Sequence, residues 1–193
     1  MKPFLRASTR TYALAVAGVI AMAVVALLLM GRTPICRCGY VKAWHGVVLS
    51  SENSQHLSDW YTFTHVIHGF AFYALAWLVG RRWPVGLRLV LAVVAESAWE
   101  VLENTDLIIN RYREATIALD YYGDSVLNSA ADILAMMVGF AAASRLPVWS
   151  IVSLTIGLES FIAYFIRDNL TLNIIMLIYP IERIRRWQSG SGA

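Results

Sequence analysis

Residues 12–30, YALAVAGVIAMAVVALLLM, form an apolar run of nineteen positions without a charge. A helix needs about 20 apolar residues to cross a hydrocarbon core, so this stretch reads as a membrane crossing. Lys2, Arg6 and Arg10 ahead of it resemble the basic leader of a signal peptide. The run is longer than the usual signal-peptide core of about 7–15 residues, however. No A-x-A site follows it, and Ile35 before Cys36 spoils a lipoprotein box. The rest of the chain agrees. Of 193 residues 58% are hydrophobic and only 15% charged, with a mean hydropathy of +0.56, whereas water-soluble domains average roughly 45–50% and 25%. Disorder is excluded on the same ground.

Further apolar stretches lie at 63–80, 84–102, 125–144 and 148–166, and a shorter one at 170–181 contains Pro180 near its end. The expected fold is all-α, a polytopic membrane helical bundle of five to six transmembrane helices, with 1–193 as one membrane domain. The last stretch reads as a tilted span or a re-entrant segment. If both the amino terminus and the tail are cytoplasmic, ten basic residues fall inside: Lys2, Arg6, Arg10, Arg81, Arg82, Arg88, Arg145, Arg183, Arg185 and Arg186. Six fall outside: Arg32, Arg37, Lys42, Arg111, Arg113 and Arg167. The positive-inside rule then favours six spans, multi-pass in a bacterial inner membrane. Arg81–Trp83 and Arg145–Pro147 leave room only for tight hairpins on the inner side. The outer connections, 31–62 and 104–124, are long, and loops of that length are often functional. Trp44, Trp60, Tyr61, Trp83, Trp149 and Trp187 stand where an aromatic belt is expected.

Intramembrane carboxylates are costly, at about 2.5–3.5 kcal/mol for Asp at mid-helix, so each calls for a reason. Glu96, Glu100 and Glu103 are spaced i, i+4, i+7 on one face of the third span. Asp124, Asn128 and Asp132 begin the fourth, with Asp120 just ahead, and His65 and His68 open the second, preceded by His56 and Asp59. Glu159 is in the fifth, followed by Arg167, Asp168, Asn169 and Asn173. All these groups fall toward one membrane face, while the opposite halves of the spans are mostly Leu, Val, Ala and Met. The pattern describes a polar cavity opening to the periplasm. The opposing reading is that buried His and carboxylates only tie helices together, for roughly 0.6 kcal/mol per contact.

Several chemistries use such residues. His65-x-x-His68 with Glu100 and Asp124 supplies candidate ligands for a divalent metal, since helical bundles build metal sites from Glu and His on facing helices. Without a metal, His65, His68, Glu100, Asp124 and Asp132 are candidate acid/base groups. Arg111, Arg113, Asn128, Arg167 and Asn169 are candidate substrate contacts, the arginines as anchors for a phosphate headgroup. Cys36-x-Cys38 reads as two thiols, a local staple or, with His45 and His56, a metal site. No H-E-x-x-H, G-x-S-x-G or phosphate-binding loop is present, and no motif points to nucleic acid.

PICRCGYVKAWHGVVLSSENSQHLSDWYTFTHVIHGF, ESAWEVLENTDLIINRYR, LDYYGDSVLNSAADILAMMVGF and IRDNLTLNIIML together resemble an uncharacterised family of bacterial multi-pass inner-membrane proteins. That family carries a domain-of-unknown-function label, so the resemblance implies location and architecture and no reaction. Glu100, Arg111, Asp124, Asn128, Asp132 and Gly139 are more weakly similar to VanZ-like proteins. The Asn128-x-x-x-Asp132 step is similar to the lipoprotein signal peptidase, whose full pair of aspartate motifs is absent here. The expectation is a membrane protein with a periplasm-facing His/carboxylate site that binds or modifies a lipid or lipid-linked envelope substrate, with the lipid bilayer as its partner. The alternative is a non-catalytic assembly or binding protein whose polar cluster is structural.

Overall fold

The computed structural model describes residues 7–116 and 120–190. Lys2 and Arg6, counted above with the inner face, lie outside the described residues. Eight helices appear, and no strand among the described residues: α1 Thr9–Leu29, α2 Thr62–Val79, α3 Val85–Glu103, α4 Asp106–Ala115, α5 Val126–Ala143, α6 Val148–Ile166, α7 Leu170–Ile178 and α8 Glu182–Gln188. Four of them, α1, α2, α5 and α6, are long and apolar enough to cross a membrane. Helix α3 matches them in length with 19 residues but carries Arg88, Glu96, Glu100 and Glu103.

Helix α5 is the centre of the bundle. Half of it is buried, against 6% of the apolar window of α6, and it packs on α2, α3, α1 and α6. It meets α2 at backbone distance. A Cβ on Gly69 would run into the Met136 carbonyl, and one on Gly139 into the Val66 carbonyl. Small residues at such a crossing let helix backbones approach and gain dispersion contacts. Below it, Val16, Ala23, Ala92, Val93, Ile133, Met136 and Phe140 form the apolar core shared by α1, α3 and α5. The exterior is apolar instead of polar. Leu14, Met22 and Leu29 of α1 and Val148, Trp149, Ile156, Tyr164 and Phe165 of α6 are exposed, while His65, Glu96, Glu100, Asn128 and Asp132 are buried. That inversion is what a lipid solvent selects, because only internal partners can satisfy polar groups there.

The tight hairpins after α2 and α5 lie at one end of the bundle and the long connections at the other. The 31–61 segment folds over the amino terminus of α5. Ser125 N–H donates to Ser54 O, Val126 N–H to Thr33 O and Leu127 N–H to Pro34 O, so the free amides of a helix start are satisfied by a distant loop. Gln55 Nε2 donates to Gly123 O and Asn128 Nδ2 to His56 O across the same seam. Trp60 stacks on Phe165 at 5.3 Å and meets Trp44 edge-on at 5.2 Å, fastening the segment to α6. Cys36 and Cys38 are joined by a disulfide, a local staple within the loop segment.

The stretch expected as a short tilted span or a re-entrant segment forms a short helix. Helix α7 has nine residues, about 14 Å at 1.5 Å per residue and half of a 30 Å core. The chain then turns back. Gln188 Nε2 donates to Asp168 Oδ1 at 3.0 Å, and Trp187 O accepts from Arg167 at 3.1 Å. Helix α4 supports α7 from the side, with Arg111 donating to Leu177 O and Ile178 O. The tail therefore lies at the loop end, whereas the start of α1, where Tyr12 packs on Gly86 at the start of α3, lies at the hairpin end. These contacts put the tail beside the carboxyl end of α6 and the start of α1 beside the start of α3. An apolar half-helix and a full crossing share a composition, and only the partners of α8 tell them apart.

Candidate functional site

Three helices bring their polar faces together just beneath the loop end. Helix α2 carries His65 one turn from its start and His68 a turn deeper, on one face. Helix α3 presents Glu96, Glu100 and Glu103 on one face near its carboxyl end, and α5 brings Asp132. His65 is the hub. Its Nδ1–H donates to Glu96 Oε1 at 2.6 Å and lies 3.4 Å from Glu100 Oε1, while its Nε2 is 3.8 Å from Asp132 Oδ2. His68 Nδ1 donates to Glu96 Oε2 at 3.0 Å. Asp132 accepts a further bond from Thr62 Oγ1 at 3.2 Å.

Toward the loop end the carboxylates continue through Glu103 to Asp124, which lies with Glu100 and Glu103 in one group of close oxygen atoms. Asp124 is well supported. Its Oδ2 accepts from Asn104 Nδ2 at 3.0 Å, its Oδ1 from the Tyr121 hydroxyl at 2.9 Å, and its own N–H donates to Asn104 Oδ1 at 2.7 Å. Burial is the largest influence on this carboxyl and lifts it to about 6, against the opposing pull of the Tyr121 and Asn104 bonds. Glu100 is the opposite case. It is fully buried, yet neither carboxylate oxygen accepts a hydrogen bond.

The expected ligands and acid/base groups are thus distributed along a line. His65, His68, Glu100 and Asp132 meet around one centre, while Asp124 joins Glu100 at its loop-side end. The expected substrate contacts point elsewhere. Arg111 is engaged with α7, Arg113 donates to Tyr121 O, and Arg167 donates to Trp187 O. Asn128 anchors the 31–61 segment through His56 O, and Asn169 caps α7 by accepting from Leu172 N–H at 2.8 Å. Glu96, absent from the candidate ligands and acid/base groups named from the sequence, joins this centre through His65 and His68. Its i, i+4 step to Glu100 was the available signal. Asn104 has no such signal, because it reaches Asp124 from twenty residues away, whereas Tyr121 lies only three residues before Asp124.

A second polar group sits on the loop segment. Glu52 accepts from Lys42 Nζ at 2.6 Å, pairs with His56 Nε2 at 2.9 Å and accepts from the Tyr40 hydroxyl at 2.9 Å. The Lys42, His56 and Tyr40 bonds hold it down at about 2. Its neighbours Cys36, Cys38 and His56 complete a possible donor set, but the disulfide occupies both sulfurs. An apolar groove of about 290 Å³ between α2 and α6 is lined by Ile67, Phe70, Ala71, Ile151, Val152 and Ile156. At about 100° per residue Ile67 and Phe70 lie roughly opposite His65 on α2, so the groove gives no path to the cluster.

Comparison with known proteins places this arrangement in a family. The family described as "Protein of unknown function (DUF2585)" matches residues 27–190. The chain is a member of the DUF2585 family. It is 60% identical over 177 residues to a UPF0314 protein of Rhizobium meliloti (strain 1021), covering 92% of this chain and 90% of that one. It is 58% identical over 172 residues to a UPF0314 protein of Paracoccus denitrificans (strain Pd 1222), covering 89% of each. A UPF0314 protein of Sphingopyxis alaskensis is 51% identical over 183 residues, 94% of this chain and 97% of that one. No solved structure matches. In this DUF2585 protein the matched stretch begins at the end of α1 and includes the loop segment and every residue of the His/carboxylate cluster.

Proposed function

We propose that the protein is an integral inner-membrane protein with five crossings, α1, α2, α3, α5 and α6, whose loop end faces the periplasm. Its His/carboxylate cluster binds or modifies a lipid or lipid-linked envelope substrate. The observation that carries the reading is Glu100. Buried polar groups in folded proteins are almost always hydrogen-bonded, and a purely structural lock between helices gains little from a buried carboxylate that accepts no hydrogen bond and stands only at ion-pair distance, 3.4 Å, from His65 Nδ1. Such a group beside His65 and Asp132 is kept for a ligand. Disulfide bonds persist in oxidising compartments, so the Cys36–Cys38 bridge supports a periplasmic loop end. The cluster lies one to two helical turns below that end, at the depth where a headgroup from the outer leaflet reaches. His65 and Asp132 are the acid/base groups of this reading, and Asp124 completes the path to the loop end.

The test replaces the chromosomal copy with Glu100→Gln and Asp132→Asn variants and compares envelope lipids. Both variants are expected at normal abundance with an altered lipid or lipid-linked precursor profile. Wild-type lipids and growth from both, at normal abundance, would sink the reading.

One observation favours the non-catalytic alternative. Asp124, Asn104 and Tyr121 saturate one another, and the three arginines cap backbone carbonyls, as in a scaffold. In that case the same substitutions lower abundance and thermal stability together and leave no folded, inactive protein.

A further inference from the structure

We propose that His65, His68 and Glu96 form a three-ligand site for a divalent transition metal of the zinc class, with an open fourth position beside Glu100. The inference rests on the reading of this cluster as a working site and names the ion it uses. Both histidines direct the same ring atom, Nδ1, at the two oxygens of one carboxylate, at 2.6 and 3.0 Å. A metal ion takes the place of the protons in those bonds. Tetrahedral zinc with ligands at about 2.0–2.1 Å keeps its donor atoms roughly 3.3 Å apart, so each histidine–carboxylate pair opens by less than about 1 Å, and all three donors already lie within 4.8 Å of one another. Two imidazoles and one carboxylate are the donors that zinc-class metals prefer over magnesium or calcium.

The surroundings fit as well. A metal-bound imidazole is usually oriented by a carboxylate at its other nitrogen, and His65 Nε2 faces Asp132 Oδ2 at 3.8 Å. Glu100 lies outside the three-ligand group and instead shares His65 and Asp132 with a second group of close donors. Its buried oxygens have no hydrogen-bond donor, and Oε1 stands 3.4 Å from His65 Nδ1. A water at the open position gives Glu100 the missing donor, and Glu100 is placed to accept that water's proton. Three protein ligands with one open position mark a catalytic rather than a structural zinc site.

The experiment uses the full chain purified in detergent under non-reducing conditions, which keep Cys36 and Cys38 closed. After chelation the protein is titrated with Zn(II) and separately with Co(II), whose visible spectrum reports nitrogen and oxygen ligands in tetrahedral geometry. About one metal per chain is expected in the wild type. Glu96→Gln, which keeps the side-chain shape, and His68→Ala are expected to weaken Zn(II) binding by more than tenfold, while Glu100→Gln retains it. Folding of each variant is checked by its melting curve, and the Co(II) spectrum of the wild type tests the site without any substitution. No stoichiometric metal in the wild type, or binding unchanged in Glu96→Gln, overturns the site. Loss of metal in Glu100→Gln overturns the placing of Glu100 outside the ligand set. The two readings fail separately. Altered lipids in the Glu100→Gln strain with no bound metal leave the lipid reading standing alone, whereas bound metal with wild-type lipids in both variant strains leaves only the metal site.

Discussion

Two carboxylates at the loop end are displaced from the ordinary carboxyl range in opposite directions, and their effects on stability have opposite signs. Asp124 is lifted by burial to about 6, above its usual 3.8. The folded protein therefore holds a proton between about pH 4 and 6 that the unfolded chain has released, and stability falls as pH rises through that window. The full linkage is on the order of 1–3 kcal/mol. Glu52 is held at about 2 by Lys42, His56 and Tyr40, below its usual 4.5. Its contribution is complete above pH 4.5 and is lost as pH falls toward 2. Melting temperatures in detergent, taken from pH 7 down to pH 3, are expected to show both. Relative to wild type, Asp124→Asn flattens the rise between pH 6 and 4, and Glu52→Gln flattens the fall below 4.5. An Asp124→Asn curve parallel to wild type across pH 4 to 6 would show that this carboxyl is not raised.

At the scale of elements, the contact between α2 and α5 sets where the histidines meet Asp132, and two glycines control it. A side chain at Gly139 would strike the backbone of α2 at Val66, one residue after His65. Gly139→Leu is expected to lower stability by about 1–3 kcal/mol, the usual cost of overpacking, and to separate His65 from Asp132. Gly157→Leu, where nothing lies within 4 Å of the added atom, is the matched control and leaves the melting temperature unchanged. Equal melting temperatures for the two variants would show that α2 and α5 do not touch at Gly139. Much of this level was legible in the sequence. The apolar runs at 12–30, 63–80, 125–144 and 148–166 correspond to α1, α2, α5 and α6, because length and lack of charge are properties of the run itself. The three-carboxylate face of α3 was legible from its spacing. What escaped was held by distant partners. Nothing local in Thr33, Pro34 or Ser54 announces that their carbonyls cap α5, and nothing in Asn104 announces Asp124. The apolar residues of α7 are as suited to a crossing as to the half-helix they form.

For the whole molecule, the fold of α7 and α8 changes the charge balance that orients the bundle. With the tail at the loop end, Arg183, Arg185 and Arg186 join Arg32, Arg37, Lys42, Arg111, Arg113 and Arg167, and the count for the hairpin end falls from ten to seven against nine. Charge alone then no longer sets the orientation. The rule counts every loop of up to about 60 residues, so both ends enter it, and the small excess at the loop end does not by itself favour a periplasmic loop end. The proposed periplasmic loop end therefore rests on the Cys36–Cys38 disulfide, a bond that persists in oxidising compartments. The expected arrangement has the hairpins and the start of α1 in the cytoplasm, and the 31–61 segment, α4 and the tail in the periplasm. Single cysteines introduced at Ser144, Ser51 and Ser189 in a Cys36→Ser, Cys38→Ser background separate the cases when intact cells are treated with a membrane-impermeant thiol reagent. Labelling of the Ser51 and Ser189 positions without the Ser144 position supports five crossings with an exposed loop end. Labelling at Ser51 but not Ser189 places the tail across the membrane, and the bonds from Arg167 to Trp187 and from Gln188 to Asp168 could not then form. Labelling at Ser144 alone inverts the protein, turns the His/carboxylate cluster toward the cytoplasm and removes outer-leaflet lipids from the substrates it can reach.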